Sequence, residues 1–407
     1  MNPQRMAPVA VLAHGLACAT GVGLGSLAQA LRDGRRALVH NSGPHAFSHT
    51  PLATWVGAVP GLMQAPWPAA WAAWDCRATR LAWLGLQADG FITAAQAACR
   101  RHGAARVGLV LGTSASTIGA SEQAYRTLAA DGGFPPALRS ESLNTLHAVG
   151  HFVQQALGLQ GPCVTVSTAC SSSAKAFAQA ERWLHLGLAD AVVVAGVDAL
   201  CDSVLFGFHA LQLVSPTPCE PFAATRRGIS VGEAAGFALL ERGPGALCLL
   251  GHGESNDAHH MSSPHPEGLG AELALNAALA RAGLTAAEVG YLNLHGTASA
   301  RNDAVEAALV ARRYAPHVHA SATKGVTGHT MGAAGIVEAL VCLLALGDGL
   351  HAGVCSGSVG STPPDPALGP VFAQQLQAEA AQRVVQVAAS HSFGFGGNNA
   401  VLLFGRG

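Results

Sequence analysis

Val164-Thr165-Val166-Ser167-Thr168-Ala169-Cys170-Ser171-Ser172-Ser173 is where the chain first shows its grammar. A short β-branched run ends in small residues, delivers a cysteine, and passes into Ser172–Leu186, whose apolar spacing is helical. A buried strand feeding a sharp turn and then a helix is the signature of a nucleophile elbow. Small flanking side chains permit the turn, and a thiol at a helix N-terminus feels the positive end of the macrodipole, which favours thiolate. A cysteine taken alone would more often be an inert core residue. The partners found further along the chain are what lift this one above that reading.

Working outward, the runs Val107–Leu111, Ala191–Val197, Gly236–Leu240, Val289–Leu294 and Val384–Ala389 are short, apolar and fenced by glycine, proline or polar turns, so they read as buried strands. Ala271–Ala282, Asp303–Tyr314 and Ala333–Leu346 read as helices between them. Strands alternating with covering helices predict an α/β fold whose sheets are buried on both faces. The chain has 407 residues, enough for two or three domain equivalents. The one break in patterning, Gly243-Pro244-Gly245, predicts a division into halves 1–244 and 245–407, with the nucleophile in the first. Trp55–Ala78, with four of the six tryptophans, reads as an irregular covering segment.

Half the residues are hydrophobic and 12% are charged, which excludes a disordered or solvating protein. Net charge is -1 and the basic clusters are no longer than pairs, so no electrostatic footprint for nucleic acid exists. No apolar run approaches the length of a membrane span, and His14 interrupts the only stretch resembling a signal peptide, so a cytoplasmic protein is expected. Ten cysteines without a CxxC pair fit reduced thiols. His259, His260 and His265 lack the carboxylate or cysteine that would complete a metal site, and neither GxGxxG nor GxxxxGK occurs. No metal and no bound cofactor are expected.

Two further blocks carry chemistry. Leu292-Asn293-Leu294-His295-Gly296-Thr297 repeats the strand-to-turn grammar with a histidine, ahead of a helix on which Asp303 and Glu306, three apart, share a face. Thr323 to Gly335 sets Lys324 and His329 among four glycines. A lone histidine is more often a satisfied core residue, and paired carboxylates are often just solvated. Two histidines at element ends in glycine-rich context point instead to a site where backbone and ligand approach closely.

On these blocks the sequence resembles the β-ketoacyl-acyl carrier protein synthases, in their Cys-His-His branch of the thiolase fold. The resemblance also covers Ala10–Gly25, Pro221-Phe222, Gly232–Gly236, Asp257–Met261, Pro264-His265-Pro266 and Ser392–Asn398, in family order. It implies two similar halves with buried mixed sheets and helices in layers. It implies decarboxylative Claisen condensation of an acyl thioester with a malonyl-acyl carrier protein, in fatty acid or polyketide synthesis. Cys170 would take the acyl group as a low-pKa thiol, with the backbone N–H groups of Cys170 and Phe395 as oxyanion hole and Phe395 gating the acyl tunnel. His295 and His329 would donate Nε2–H to the extender's enolate oxygen. Lys324 would pair with Glu306, and Asp303 and Glu306 would support the His295 loop. Thr297 and Ser299 fall where the family binds pantetheine and extender, and Ala115 at the acyl-pocket floor. Substrates would ride on the phosphopantetheine of an acyl carrier protein. The protein would dimerise with itself or with a ketosynthase-like chain-length factor.

Two departures stand out. Ala223 and Arg227 replace acidic residues usual in the family, and the connection Leu213–Glu220 is short. That connection, with the Cys170 block, resembles the ketosynthases of aryl-polyene pathways most. A thiolase, the other enzyme of this fold, would need a second cysteine near the C-terminus, where Ser392–Asn398 has none. A catalytically silent chain-length factor would lack the nucleophile that Cys170 supplies.

Overall fold

The apolar runs assemble into two sheets in the computed structural model, which describes residues 5–42, 51–128, 132–133, 141–347, 363–378 and 384–407. In the first sheet the strands lie in the order Gly21–Val22, Val9–Cys18, Ala234–Arg242, Ala191–Asp198, Val107–Gly112, Cys163–Val166. In the second the order is His319–Ser321, Tyr291–Asn293, Val387–Gly394, Asn398–Arg406, Leu247–Asn256. Each sheet holds three mutually parallel strands followed by strands that each pair antiparallel with the one before, two in the second sheet and three in the first, where the last is the short Gly21–Val22. The strand leading to Cys170 therefore occupies the same place in its sheet as the strand leading to Lys324 does in the other. The strand leading to Ala115 likewise matches the one leading to His295.

Between the sheets run two helices, Ser172–His185 and Ala334–Leu346. The second is buried at twelve of its thirteen positions, as an all-round apolar sequence requires when both faces are covered. The two helices cross at Gly335, where a Cβ would lie 2.4 Å from the backbone nitrogen of Ala174. Phe177, Val192, Val194, Ile336, Leu340 and Phe404 form the core of this middle layer. The covering segment predicted at Trp55–Ala78 wraps Trp67, Trp71 and Trp74 around Phe152, with ring centroids 5.4–5.8 Å away.

The parallel strands end on one side, and each hands its chain to a loop there. Thr113–Ala115, Cys170, His295–Thr297, Lys324–His329 and Phe395 thus meet because topology puts carboxyl ends of parallel strands together. Strands Val9–Cys18 and Leu247–Asn256 were not among the predicted runs. Histidine, glycine and glutamate interrupt their apolar pattern, and antiparallel pairing holds them regardless.

Candidate active site

Leaving the strand Cys163–Val166, the chain reaches Cys170 through Ala169 at φ +52, a conformation that costs a non-glycine residue roughly 1–3 kcal/mol. The serines hold that strain. Ser172 Oγ accepts from the Thr168 N–H (2.9 Å) and donates to the Ala169 carbonyl (2.6 Å), while Ser171 Oγ donates to the Thr168 carbonyl (2.8 Å). Small size explained these residues in sequence; their hydroxyls as ties were not foreseen.

The expectation of a low-pKa thiol is corrected. Cys170 is 6% exposed, and burial pushes its thiol up to about 12. The Lys324 charge and the Phe395 N–H act against that rise, whereas Asp198 and Glu338 add to it. The helix terminus was counted in sequence and the cost of leaving water was not.

His329 Nε2 stands 3.0 Å from the Cys170 sulfur, and its Nδ1 accepts the Met331 N–H at 3.3 Å. An Nδ1 that accepts leaves the proton on Nε2. His295 reaches the same form by another route, because its Nδ1 faces the Lys324 ammonium at 3.4 Å and an ammonium can only donate. The two rings meet edge to face with centroids 5.5 Å apart. Burial, then the Lys324 charge, holds both imidazoles well below their usual pKa, so both are neutral donors at neutral pH. His329 thus also touches Cys170, a contact beyond the extender's enolate oxygen expected for both histidines.

Lys324 pairs with Glu338, not with Glu306, and also donates to the His295 carbonyl. Glu306 is already engaged, accepting the N–H groups of His295 (2.7 Å) and Gly296 (2.8 Å) and facing His391 Nδ1 at 3.1 Å. Glu338 lies in the central helix, where its apolar neighbours hid it. The available signal was a single carboxylate in an otherwise apolar helix, which demands a partner once the helix is buried. His391 was also missed; it links Glu306 to the Tyr314 hydroxyl (2.8 Å) behind the His295 loop. Asp303 accepts from the N–H groups of Phe222 (2.7 Å) and Thr297 (3.1 Å), and burial pushes its carboxyl up to about 7.

Phe395 sits in the loop Gly394–Gly397, with its N–H directed at Cys170 and its ring edge on Phe208 at 5.7 Å. Gly397 has φ +71, and a Cβ there would come within 2.7 Å of the Asp257 Cβ. Cys170, His295, His329, Thr297, Ser299 and Phe395 line one cavity of about 530 Å³. The Thr297 and Ser299 hydroxyls are 2.9 Å apart. Exposed Arg227 and Arg301 are on its rim, while Arg226 turns to Asp365 at 2.7 Å. Ala115 does not line this cavity; it is buried, with its N–H on Asp198 at 2.9 Å. His259 and His265 form an edge contact at 5.1 Å on the segment before the helix Leu269–Ala282.

Residues 6–246 match the model of the β-ketoacyl synthase N-terminal domain, and residues 247–356 that of the C-terminal domain. Nodulation protein E of Rhizobium meliloti (strain 1021) is 36% identical over 318 residues, covering 75% of this chain and 77% of that protein. The 3-oxoacyl-[acyl-carrier-protein] synthase 2 of the same organism is 37% identical over 267 residues, covering 61% and 62%. A chain of the solved complex of the ketosynthase ApeO with its chain length factor ApeC, from Xenorhabdus doucetiae, superposes with a TM-score of 0.85. It is 34% identical over 98% of each chain.

Proposed function

The chain belongs to the β-ketoacyl synthase family, and from that premise we propose that Cys170, His295, His329 and the Phe395 N–H carry out its decarboxylative condensation. One observation supports this most: a nucleophilic sulfur and two neutral Nε2–H donors share a cavity, and a third donor, the Phe395 N–H, faces the sulfur.

In the first half-reaction the Cys170 sulfur attacks the carbonyl of an acyl thioester on a carrier protein. A carbon–sulfur bond to Cys170 forms, the one to pantetheine breaks, and the thiol proton ends on the departing pantetheine sulfur. Because the buried thiol is protonated at rest, the His329 Nε2–H at 3.0 Å stabilises the thiolate as it forms. The Cys170 and Phe395 N–H groups receive the oxyanion, an interaction worth about 3 kcal/mol per donor.

In the second half-reaction a malonyl thioester loses carbon dioxide, and the electron pair moves onto its carbonyl oxygen. The His295 and His329 Nε2–H groups stabilise that enolate. Its carbon attacks the acyl-Cys170 carbonyl, the carbon–sulfur bond breaks with its electron pair going to sulfur, and the thiolate takes from water the one proton that the overall reaction consumes. Lys324 fixes the His295 proton on Nε2 and is itself balanced by Glu338. Thr297 and Ser299 offer hydroxyls to the pantetheine amides, and the rim residues Arg227 and Arg301 offer positive charge to its phosphate.

The chain would act as the catalytic member of a dimer, with its own copy or with a chain-length factor. The strand Cys163–Val166 supports this, since it ends its sheet half-buried and pairs on one side only among the described residues. No helix among the described residues is long and apolar enough to cross a membrane. His295→Ala tests the division of labour. It should still form acyl-enzyme by intact mass while releasing little carbon dioxide from malonyl-acyl carrier protein. Loss of acylation with normal decarboxylation would reverse the roles.

A further inference from the structure

Asp198 is fully buried at the carboxyl end of the central strand Ala191–Asp198, and no step above uses it. Five neutral donors surround its carboxylate. Oδ1 accepts from Thr113 Oγ1 (2.7 Å) and the Ala115 N–H (2.9 Å). Oδ2 accepts from the Ser114 N–H (2.8 Å), Ser114 Oγ (2.8 Å) and the Gly332 N–H (2.7 Å). Burial raises its carboxyl above the usual range, and the Thr113, Ala115 and Ser114 donors act against the rise. Four of the donor groups belong to the loop after the first half's strand. The fifth belongs to the second half, three residues past His329.

That fifth contact reaches the site. Gly332 follows Met331, whose φ is +54 and whose N–H is the group that His329 Nδ1 accepts. A Cβ at position 332 would lie 2.6 Å from Asp198 Oδ2 and 2.6 Å from the Ser114 nitrogen, so the turn sits directly on the carboxylate and its loop. The His329 backbone is pinned separately, by its N–H on the Ser230 carbonyl (2.7 Å) and its carbonyl on the Gly232 N–H (2.9 Å). What remains free is the ring, and the Met331 N–H sets it.

We propose that Asp198 is a positioning residue: its carboxylate fixes the Met331–Gly332 turn, and the turn holds His329 with its proton on Nε2, facing Cys170 and the extender. This rests on the condensation reading above. Asp198 has a second, opposite effect, because its charge disfavours the Cys170 thiolate. The other groups facing that thiol are Lys324, which favours the thiolate, Glu338, which opposes it, and the neutral rings of His295 and His329. Removing the carboxylate therefore acts in opposite directions on the two halves of the reaction. The thiol ionises more readily, and the enolate loses a fixed donor.

The test compares the full-length chain with Asp198→Asn and Asp198→Ala. Alkylation of Cys170 by iodoacetamide is followed against pH by intact mass, and carbon dioxide release is measured on malonyl-acyl carrier protein. In both variants alkylation should move to lower pH while decarboxylation falls at least about tenfold and at most by the ~10²–10³ that one oxyanion donor commands. Asn keeps one carbonyl oxygen for the Gly332 N–H and should lose less than Ala; it also stands as the test if Ala fails to fold. A merely structural role would lower both signals together, in proportion to folded protein, and that result overturns the proposal. So does an unchanged decarboxylation rate in a folded variant. A wild-type chain releasing no carbon dioxide would instead overturn the condensation reading, and the alkylation profiles would still report on Asp198.

Discussion

Glu306 offers a perturbation whose size can be worked out from its contacts. Its Oε1 serves the His295 N–H and His391, and its Oε2 the Gly296 N–H, with Asn302 Nδ2 adding a weak contact at 3.4 Å. Glu306→Ala orphans three buried donors. Each unsatisfied donor costs about 1–3 kcal/mol, so the loss is about 3–9 kcal/mol. For 407 residues the unfolding entropy near the midpoint is about 0.85 kcal/mol per kelvin, which converts the loss to about 4–10 °C in Tm. Glu306→Gln keeps its carbonyl for one side and turns an amide N–H toward a donor on the other. It should lose about 1–3 kcal/mol, or about 1–4 °C. Because the His295 loop moves and Cys170 does not, decarboxylation should fall in both variants, by up to the ~10²–10³ of one donor, while acylation of Cys170 persists. Scanning calorimetry, intact mass and carbon dioxide release read the three quantities. A Tm change below about 1 °C in Glu306→Ala, or equal losses in the two half-reactions, would refute the placement of Glu306 under the His295 loop.

Three further outcomes follow from the same geometry. His295 and His329 have pKa values depressed by burial, so protonation sets in only well below 6.5; their rings should show no protonation in a histidine NMR titration from about pH 6 to 8, and a ring titrating with its midpoint near 6.5 would contradict neutral donors. Gly397→Ala puts a Cβ into Asp257 at a φ of +71 and displaces the Phe395 N–H, so acylation should slow by up to about 10²–10³; an unchanged acylation rate would remove that N–H from the oxyanion hole. Ala115→Ile adds three carbons at a buried position against Asp198, outside the cavity that holds Cys170, and overpacking of that kind costs about 1–3 kcal/mol, so rates should fall alike for all acyl lengths. A selective loss of long acyl chains would instead put Ala115 at the acyl-pocket floor.

How far the sequence carried depended on whether a residue's partner was close along the chain. The Cys170 elbow, the His295 turn and the central helices were legible because strand, small residues and helix follow one another within a dozen positions. The two-sheet duplication was legible only through the family resemblance, since antiparallel strands such as Leu247–Asn256 carry no clean period. The Lys324 pairing failed because the family resemblance supplied Glu306 as the partner, while Glu338, although only 14 residues away, sat unmarked in an apolar helix and meets Lys324 only after folding. Asp198 and His391 stayed invisible for the same reason: each ends or lines a strand, and its meaning comes from loops up to 134 residues away. The thiol's ionisation failed differently. A helix N-terminus can be read from sequence, and desolvation needs the packed site.

Intact mass spectrometry of the full chain, first with an acyl-acyl carrier protein and then with malonyl-acyl carrier protein, follows the chemistry at Cys170 directly. The first addition should raise the mass by one acyl group, localised to Cys170 and absent in Cys170→Ala. The second should return the enzyme to its starting mass as carbon dioxide and a 3-oxoacyl product appear. An acyl group on another residue, or a product formed by Cys170→Ala, would contradict Cys170 as the nucleophile of this condensation.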